Sequence, residues 1–138
     1  MKSANELFEW YRKLTRESLK EIDKYYATDV FFKDPFNELK GREKVKTIFE
    51  DMFEHLVNPH FDLHDIIVEG HQAFATWDFV FSFKRKVYTI RGSTHFKFDE
   101  QMRVVYHRDY WDVGEELLLK LPFIKSLYSV FRRKMASA

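Results

Sequence analysis

Cysteine is absent from the 138-residue chain, which excludes disulfides, thiolate nucleophiles and zinc–thiolate sites. Glycine and proline are scarce, at four and three. Linkers and low-complexity stretches built on them are therefore excluded, no internal repeat is found, and a single domain spanning residues 1–138 is expected. Neither charge sign dominates, since 23 basic against 22 acidic residues leave a net +1. That balance argues against a nucleic-acid partner, which needs a strongly basic face. No apolar run reaches the roughly 18 residues of a membrane span. The first residues are followed by no apolar stretch, so no signal peptide is expected and the cytoplasm is the expected location. What the chain holds in quantity is aromatic carbon, with fifteen Phe, seven Tyr and three Trp. Rings in that number fill a core, and rings of the same kinds line pockets for small hydrophobic ligands.

The hydrophobic period divides the chain. Leu7, Trp10, Tyr11 and Leu14 recur at helical spacing, with Asn5 as a possible cap. Ser18 is placed to cap a second helix carrying Leu19, Ile22, Tyr25 and Tyr26. A short β-type run over 30–32 stops at Asp34-Pro35. Gly41 precedes a third helix striped with Val45, Ile48, Phe49, Met52, Phe53 and Leu56, ended by Asn58-Pro59. From 61 to 112 the period changes to two. Turn signals at 69–71, 84–86 and 99–101 divide that stretch into four long strands of an antiparallel meander. Helices first and a meander after give an α+β fold. Gly114 then opens a last helical stretch over 115–134, bent near Pro122.

Alternation sorts the strand faces. Around Trp77 one face carries Phe74, Thr76, Asp78 and Val80, the other Ala75, Trp77, Phe79, Phe81 and Phe83. Both are largely apolar. The face bearing Trp77, Phe79 and Phe81 is expected to be the outer one and to join a second copy in a homodimer. Tyr88, Ile90, Gly92, Thr94, Phe96 and Phe98 share a face whose reverse is polar. Val105, His107, Asp109 and Trp111 share another, opposite Val104. Asp78 and Asp109 are thereby expected to point inward among apolar neighbours, where a carboxylate must be paired or hydrogen-bonded.

These residues form a familiar pattern. Segment 10–35, WYRKLTRESLKEIDKYYATDVFFKDP, resembles the opening of ketosteroid isomerases, with two helices, a Tyr-Ala-x-Asp step at Tyr26-Ala27-Thr28-Asp29 and a strand ending in Asp34-Pro35. Segment 94–111, THFKFDEQMRVVYHRDYW, resembles the last two strands of that family. The resemblance covers most of the chain. It implies the nuclear transport factor 2-like fold, a cone-shaped curved antiparallel sheet packed on N-terminal helices, here with an extra C-terminal helix. It places Asp34 at the position of the base that moves a proton between two steroid carbons. The Tyr and Asp of that family's oxyanion hole fall on Trp10 and Thr94. His107-Arg108-Asp109-Tyr110-Trp111-Asp112 resembles a stretch of limonene epoxide hydrolases, in which the residue matching Asp109 holds the attacking water and the one matching Asp78 is its partner. The Arg bridging those acids falls on Thr76. The Tyr and Asn that also hold the water fall near Phe31 and Lys33. Polyketide cyclases of the same superfamily use a single pocket Asp as acid and base.

His107 and Asp109, two apart on one face, also suit a hydrogen-bonded acid–base pair, or a purely structural one. No His-Glu-x-x-His, phosphate loop or nucleophile elbow occurs, so no metal and no cofactor is expected. Leu117, Leu121, Ile124, Tyr128 and Phe131 give the tail an apolar stripe, widened by Leu118, Leu119, Phe123, Leu127 and Val130 and closed by Arg132-Arg133-Lys134. Packing over the pocket mouth or a partner is expected of it ahead of a place on a membrane surface. Two functions follow. In the first, the chain is an enzyme of ketosteroid isomerase or polyketide cyclase type. Asp34 is then the base, Asp109 and His107 are further catalytic groups, and Trp10, Asp78, Thr94, Phe96 and Trp111 hold the ligand. In the second, it is a non-catalytic module of the same fold that binds a hydrophobic ligand or dimerises.

Overall fold

The computed structural model describes residues 3–120 and Arg133. Helix α1 (Ala4–Arg12) is followed by a 3-10 helix (Ser18–Lys24), strand β1 (Tyr26–Lys33), the short β2 (Glu38–Lys40) and helix α2 (Arg42–His55). The meander is β3 (Val57–Glu69), β4 (Gln72–Phe83), β5 (Lys86–Phe98) and β6 (Val104–Tyr110), and α3 (Val113–Glu116) and a 3-10 turn (Leu118–Lys120) follow it. The six strands form one sheet in the order β2-β1-β6-β5-β4-β3. All neighbours are antiparallel except β1 and β6, which the intervening helix and meander bring together parallel. The architecture is thus the expected α+β one, with a mixed rather than purely antiparallel sheet.

Helix α1 begins after Ser3, so Asn5 lies within its first turn rather than capping it. It buries Leu7, Phe8 and Tyr11 against the sheet, Phe8 meeting Phe96 edge-on at 5.8 Å. Trp10 is also buried but turns to the other side. It stacks on Tyr25 at 4.8 Å, and its indole N–H donates to the Ser18 carbonyl at 2.9 Å. The second helix expected from Ser18 is a 3-10 helix burying Leu19 and Ile22. Val45 and Phe49 of α2 close the core from above β1.

Two irregularities decide where the site forms. Lys97 pairs with Tyr106 but Phe98 with Val104, so Val105 is an extra residue in β6. Side-chain parity flips across it, and Val104 and His107 are both buried, at 0% and 3% exposure. The expectation that Val104 lies opposite His107 fails for this reason. In β4 and β5, Trp77 faces Gly92 across the ladder, and the indole fills the space over the glycine. Trp77, Phe79 and Phe81 consequently line the concave side of the sheet, which corrects their assignment to an outer face available to a second copy.

Strand β6 ends at Tyr110 opposite Ser93, leaving the β5 edge below it without a strand partner. Side chains from the following segment occupy that edge. Asp112 caps α3 by accepting from the Gly114 and Glu115 amides, the buried Glu116 Oε1 accepts the Arg91 N–H at 2.8 Å, and Lys120 Nζ donates to the Thr89 carbonyl. Of the long C-terminal helix expected over 115–134, the described part is α3 and the 3-10 turn. Pro122, Ile124, Tyr128 and Phe131 lie outside the described residues.

Candidate functional site

The buried apolar side chains fall into two clusters, one under α1 and α2 and one around Trp77, Phe81 and Ile90. Between them lies a cavity of about 320 Å³, bounded by α2, the inner faces of β3 to β6, the β1–β2 loop and Leu117. Its walls are Phe32, Phe61, Phe79, Trp111 and similar groups. The polar side chains reaching it are few: Asp34, Thr94, His107 and Asp109, besides the Trp77 indole. An apolar chamber with few convergent polar groups is the usual form of a small-molecule site.

All of them but Asp34 belong to one hydrogen-bonded chain. The Trp77 indole N–H donates to Thr94 Oγ1 at 2.8 Å, and the Thr94 hydroxyl donates to Asp109 Oδ1 at 2.6 Å. The same Oδ1 lies 2.8 Å from His107 Nε2. His107 Nδ1 lies 2.7 Å from the Tyr26 hydroxyl, which is hydrogen-bonded to the Tyr11 hydroxyl. Thr94 and His107 are each 3% exposed, and the Asp109 side chain, which borders the cavity, is 19% exposed. Among the described residues no donor reaches Asp109 Oδ2. Burial pushes the Tyr11 and Tyr26 hydroxyls well above their ordinary pKa of 10.0, and the negative charge of Asp109 adds to the rise in both.

Asp34 also borders the cavity, but its carboxylate is committed locally. Oδ1 accepts from the Phe36 amide at 2.8 Å, the Asn37 amide at 2.7 Å and the Asn37 side chain at 3.1 Å, which shapes the turn between β1 and β2. Trp111 lines the mouth with its ring edge-on to Phe36 at 5.5 Å.

Three residues expected at the site are not there. Trp10 lies on the far side of α1, where packing against Tyr25 directs it away, and Tyr11 takes the inward position. Asp78 lies on the opposite sheet face from Trp77 and pairs with His64 at 3.2 Å, so Asp78 and Asp109 do not form a two-acid centre. Phe96 is 3% exposed and packs behind His107 at 5.0 Å between ring centroids, one layer from the cavity. Sequence reasoning missed Tyr11 and Tyr26 as parts of the site. The available signal was Tyr11 standing four residues after Leu7, on the stripe that meets the sheet. Among the described residues no cluster of three potential metal ligands occurs, and no helix is long and apolar enough to cross a membrane.

A family model described as the SnoaL-like domain matches residues 7–107. No curated protein sequence matches the chain. Solved structures share the fold at low identity. A hypothetical protein of ketosteroid isomerase-like fold from Catenulispora acidiphila, in complex with trimethylamine, superposes with a TM-score of 0.70 at 14% identity, covering 80% of this chain and 88% of that one. An epoxide hydrolase of M. tuberculosis similar to limonene epoxide hydrolase gives 0.67 at 18% identity, covering 78% and 80%. A putative SnoaL-like polyketide cyclase from Mesorhizobium loti gives 0.66 at 16%, covering 78% and 95%.

Proposed function

The chain belongs to the SnoaL-like domain family, and on that footing we propose that it is an enzyme that moves a proton on a small, mainly apolar carbonyl compound, with Asp109 as acid and base. One observation carries the reading: Asp109 has one oxygen fixed and the other open. Thr94 and His107 hold Oδ1, while Oδ2 of this cavity-lining residue has no protein donor among the described residues. A carboxylate held in this way can take a proton on Oδ2 and return it without breaking the bonds that orient it, as general acid–base catalysis requires.

The walls restrict the chemistry. Within the cavity, the Trp77 N–H and the Thr94 hydroxyl are already spent on the chain that ends at Asp109, so neither is left over to stabilise an enolate oxygen. The substrate C–H must therefore be acidic by itself, as between two carbonyl groups. Asp109 Oδ2 takes that proton, the carbanion attacks a third carbonyl carbon farther along the same molecule, and the proton passes from Oδ2 to the alkoxide oxygen formed. Atoms balance with no co-reactant, and the product is a ring. Asp34, with Oδ1 saturated by the turn and Oδ2 accepting from the Asn37 side chain at 3.3 Å, shapes the mouth rather than transferring the proton.

Asp109→Asn tests this reading. The amide oxygen still accepts from Thr94 and His107, but no proton can be carried. With a 1,3-dicarbonyl compound that carries a further carbonyl group and is found to turn over, the variant is expected to lose on the order of 100-fold or more in kcat. Binding, followed by quenching of Trp77 and Trp111 fluorescence, should change only a few-fold. Unchanged turnover would sink the role of Asp109. A ligand that binds both proteins and is transformed by neither would support the non-catalytic binding module.

A further inference from the structure

Tyr11 and Tyr26 are buried at 5% and 0% exposure, beyond reach of any ligand in the cavity, yet both are tied to the groups that line it. Counting hydrogens along the chain from Tyr11 to Asp109 shows what they do. Each phenol has one hydrogen to donate, and a neutral imidazole has one N–H and one lone pair. With the hydrogen on Nε2, His107 donates to Asp109 Oδ1 at 2.8 Å, Tyr26 donates to the Nδ1 lone pair at 2.7 Å, and Tyr11 donates to the Tyr26 oxygen. Every hydrogen then has an acceptor.

With the hydrogen on Nδ1, the order reverses. Nδ1 donates to Tyr26, Tyr26 to Tyr11, and the Tyr11 hydrogen is left without an acceptor among the described residues. Its other neighbour is Nδ1 itself, at 3.4 Å and now a donor. The Nε2 lone pair would also face the oxygen of Asp109. An imidazolium strands the same Tyr11 hydrogen. The groups around His107 are Tyr11 of α1, Tyr26 and Phe32 of β1, Phe96 of β5 and Asp109 of its own strand, and only Asp109 among them carries a charge. Burial keeps both phenols protonated well past pH 10.

We infer that Tyr26, whose own oxygen accepts from Tyr11, is the positioning residue that locks His107 in its Nε2–H tautomer and thereby holds Asp109 by Oδ1, leaving Oδ2 for a ligand. The consequence for catalysis rests on the acid/base reading of Asp109. The tautomer itself does not.

Long-range proton–nitrogen correlation spectra of the full chain at pH 7 read both imidazole nitrogens directly, and His107→Gln identifies the His107 signals among the six histidines. The expected pattern is a protonated Nε2 and an unprotonated Nδ1. A protonated Nδ1, as tautomer or imidazolium, would overturn the inference. Tyr26→Phe keeps the ring but removes the donor, and is expected to lose the single fixed tautomer. Tyr11→Phe leaves the Tyr26 donor in place and is expected to retain it. Retention in Tyr26→Phe would mean that Asp109 alone sets the tautomer, and would overturn the inference. With a turned-over substrate, Tyr26→Phe should lower kcat on the order of tenfold or more with KM little changed. The spectra need no substrate, so failure of the acid/base reading and failure of the tautomer lock show in different measurements.

Discussion

Asp34 and Asp109 border one cavity, yet their carboxylates are committed differently. Oδ1 of Asp34 accepts two backbone amide hydrogens in its own turn and Oδ2 accepts from the Asn37 side chain, while Oδ2 of Asp109 meets no donor among the described residues. Asp34→Ala should therefore behave as the loss of a backbone cap, costing about 1 kcal/mol in a denaturant melt. Asp34→Asn, whose amide oxygen accepts the same bonds, should stay near wild type in both stability and turnover. Lost turnover in a stable Asp34→Asn would return the base role to Asp34. At this scale the sequence was legible for His107, Asp109 and Thr94, whose period-two spacing on β5 and β6 brings them to one face. It was not legible for Trp10 and Tyr11. Neighbours on a helix point about 100° apart, and both are apolar enough to be buried. Only the packing of Tyr25 and Ser18 against Trp10 decides that Tyr11 turns to the site.

Among elements, the pairing of β4 with β5 sets the cavity wall through the close approach of Trp77 and Gly92. A Cβ built on Gly92 would lie 2.5 Å from the indole ring, well inside contact distance, so the ring must move. Gly92→Ala is expected to destabilise by roughly 1–3 kcal/mol. It should also shift tryptophan emission as the bond from the indole to Thr94 breaks. A melt and spectrum matching wild type would show that Trp77 has room to move. The four meander strands were plain from alternation and turn signals, whereas β2 was not read and Tyr26, placed on the second helix, opens β1. Which face of β4 turns inward was not plain, because Phe74 and Val80 make the Asp78 face nearly as apolar as the Trp77 face. Strand β5 settles it through the tertiary contact at Gly92. The parity flip at Val105 was equally hidden, since a bulge arises from pairing between strands and leaves no pattern in one of them.

For the whole molecule, the buried phenols couple folding to alkaline pH. Tyr11 and Tyr26 have folded-state pKa values raised well above 10.0, chiefly by burial. Their contribution to stability is then complete below about pH 10. Above that pH the unfolded chain loses protons that the folded chain keeps, so stability falls until the folded-state values are passed. Urea melts between pH 8 and 11 should show a decline above about pH 10 approaching 1.4 kcal/mol per pH unit for each tyrosine. Tyr11→Phe and Tyr26→Phe should each flatten it. A flat profile in wild type would mean that these hydroxyls ionise in place. The α+β class, helices before a meander, was readable at this scale from the change of hydrophobic period alone. The parallel contact of β1 with β6 was not, because pairing between strands so far apart in sequence depends on the closed path of the whole chain.

The chamber beside Asp109 has a thermodynamic side as well. Side chains around a space of about 320 Å³ lack the close contacts that a filled interior provides. A molecule of matching shape restores those contacts only in the folded state, and so raises the melting temperature. At a hundred times its Kd such a ligand adds about 2.7 kcal/mol, worth several degrees in a domain of this size. Heating the protein against a library of cyclisable tricarbonyl compounds therefore ranks candidates by fit before any reaction is known. Repeating the scan with Asp109→Asn separates compounds held by the walls from those held by the carboxylate.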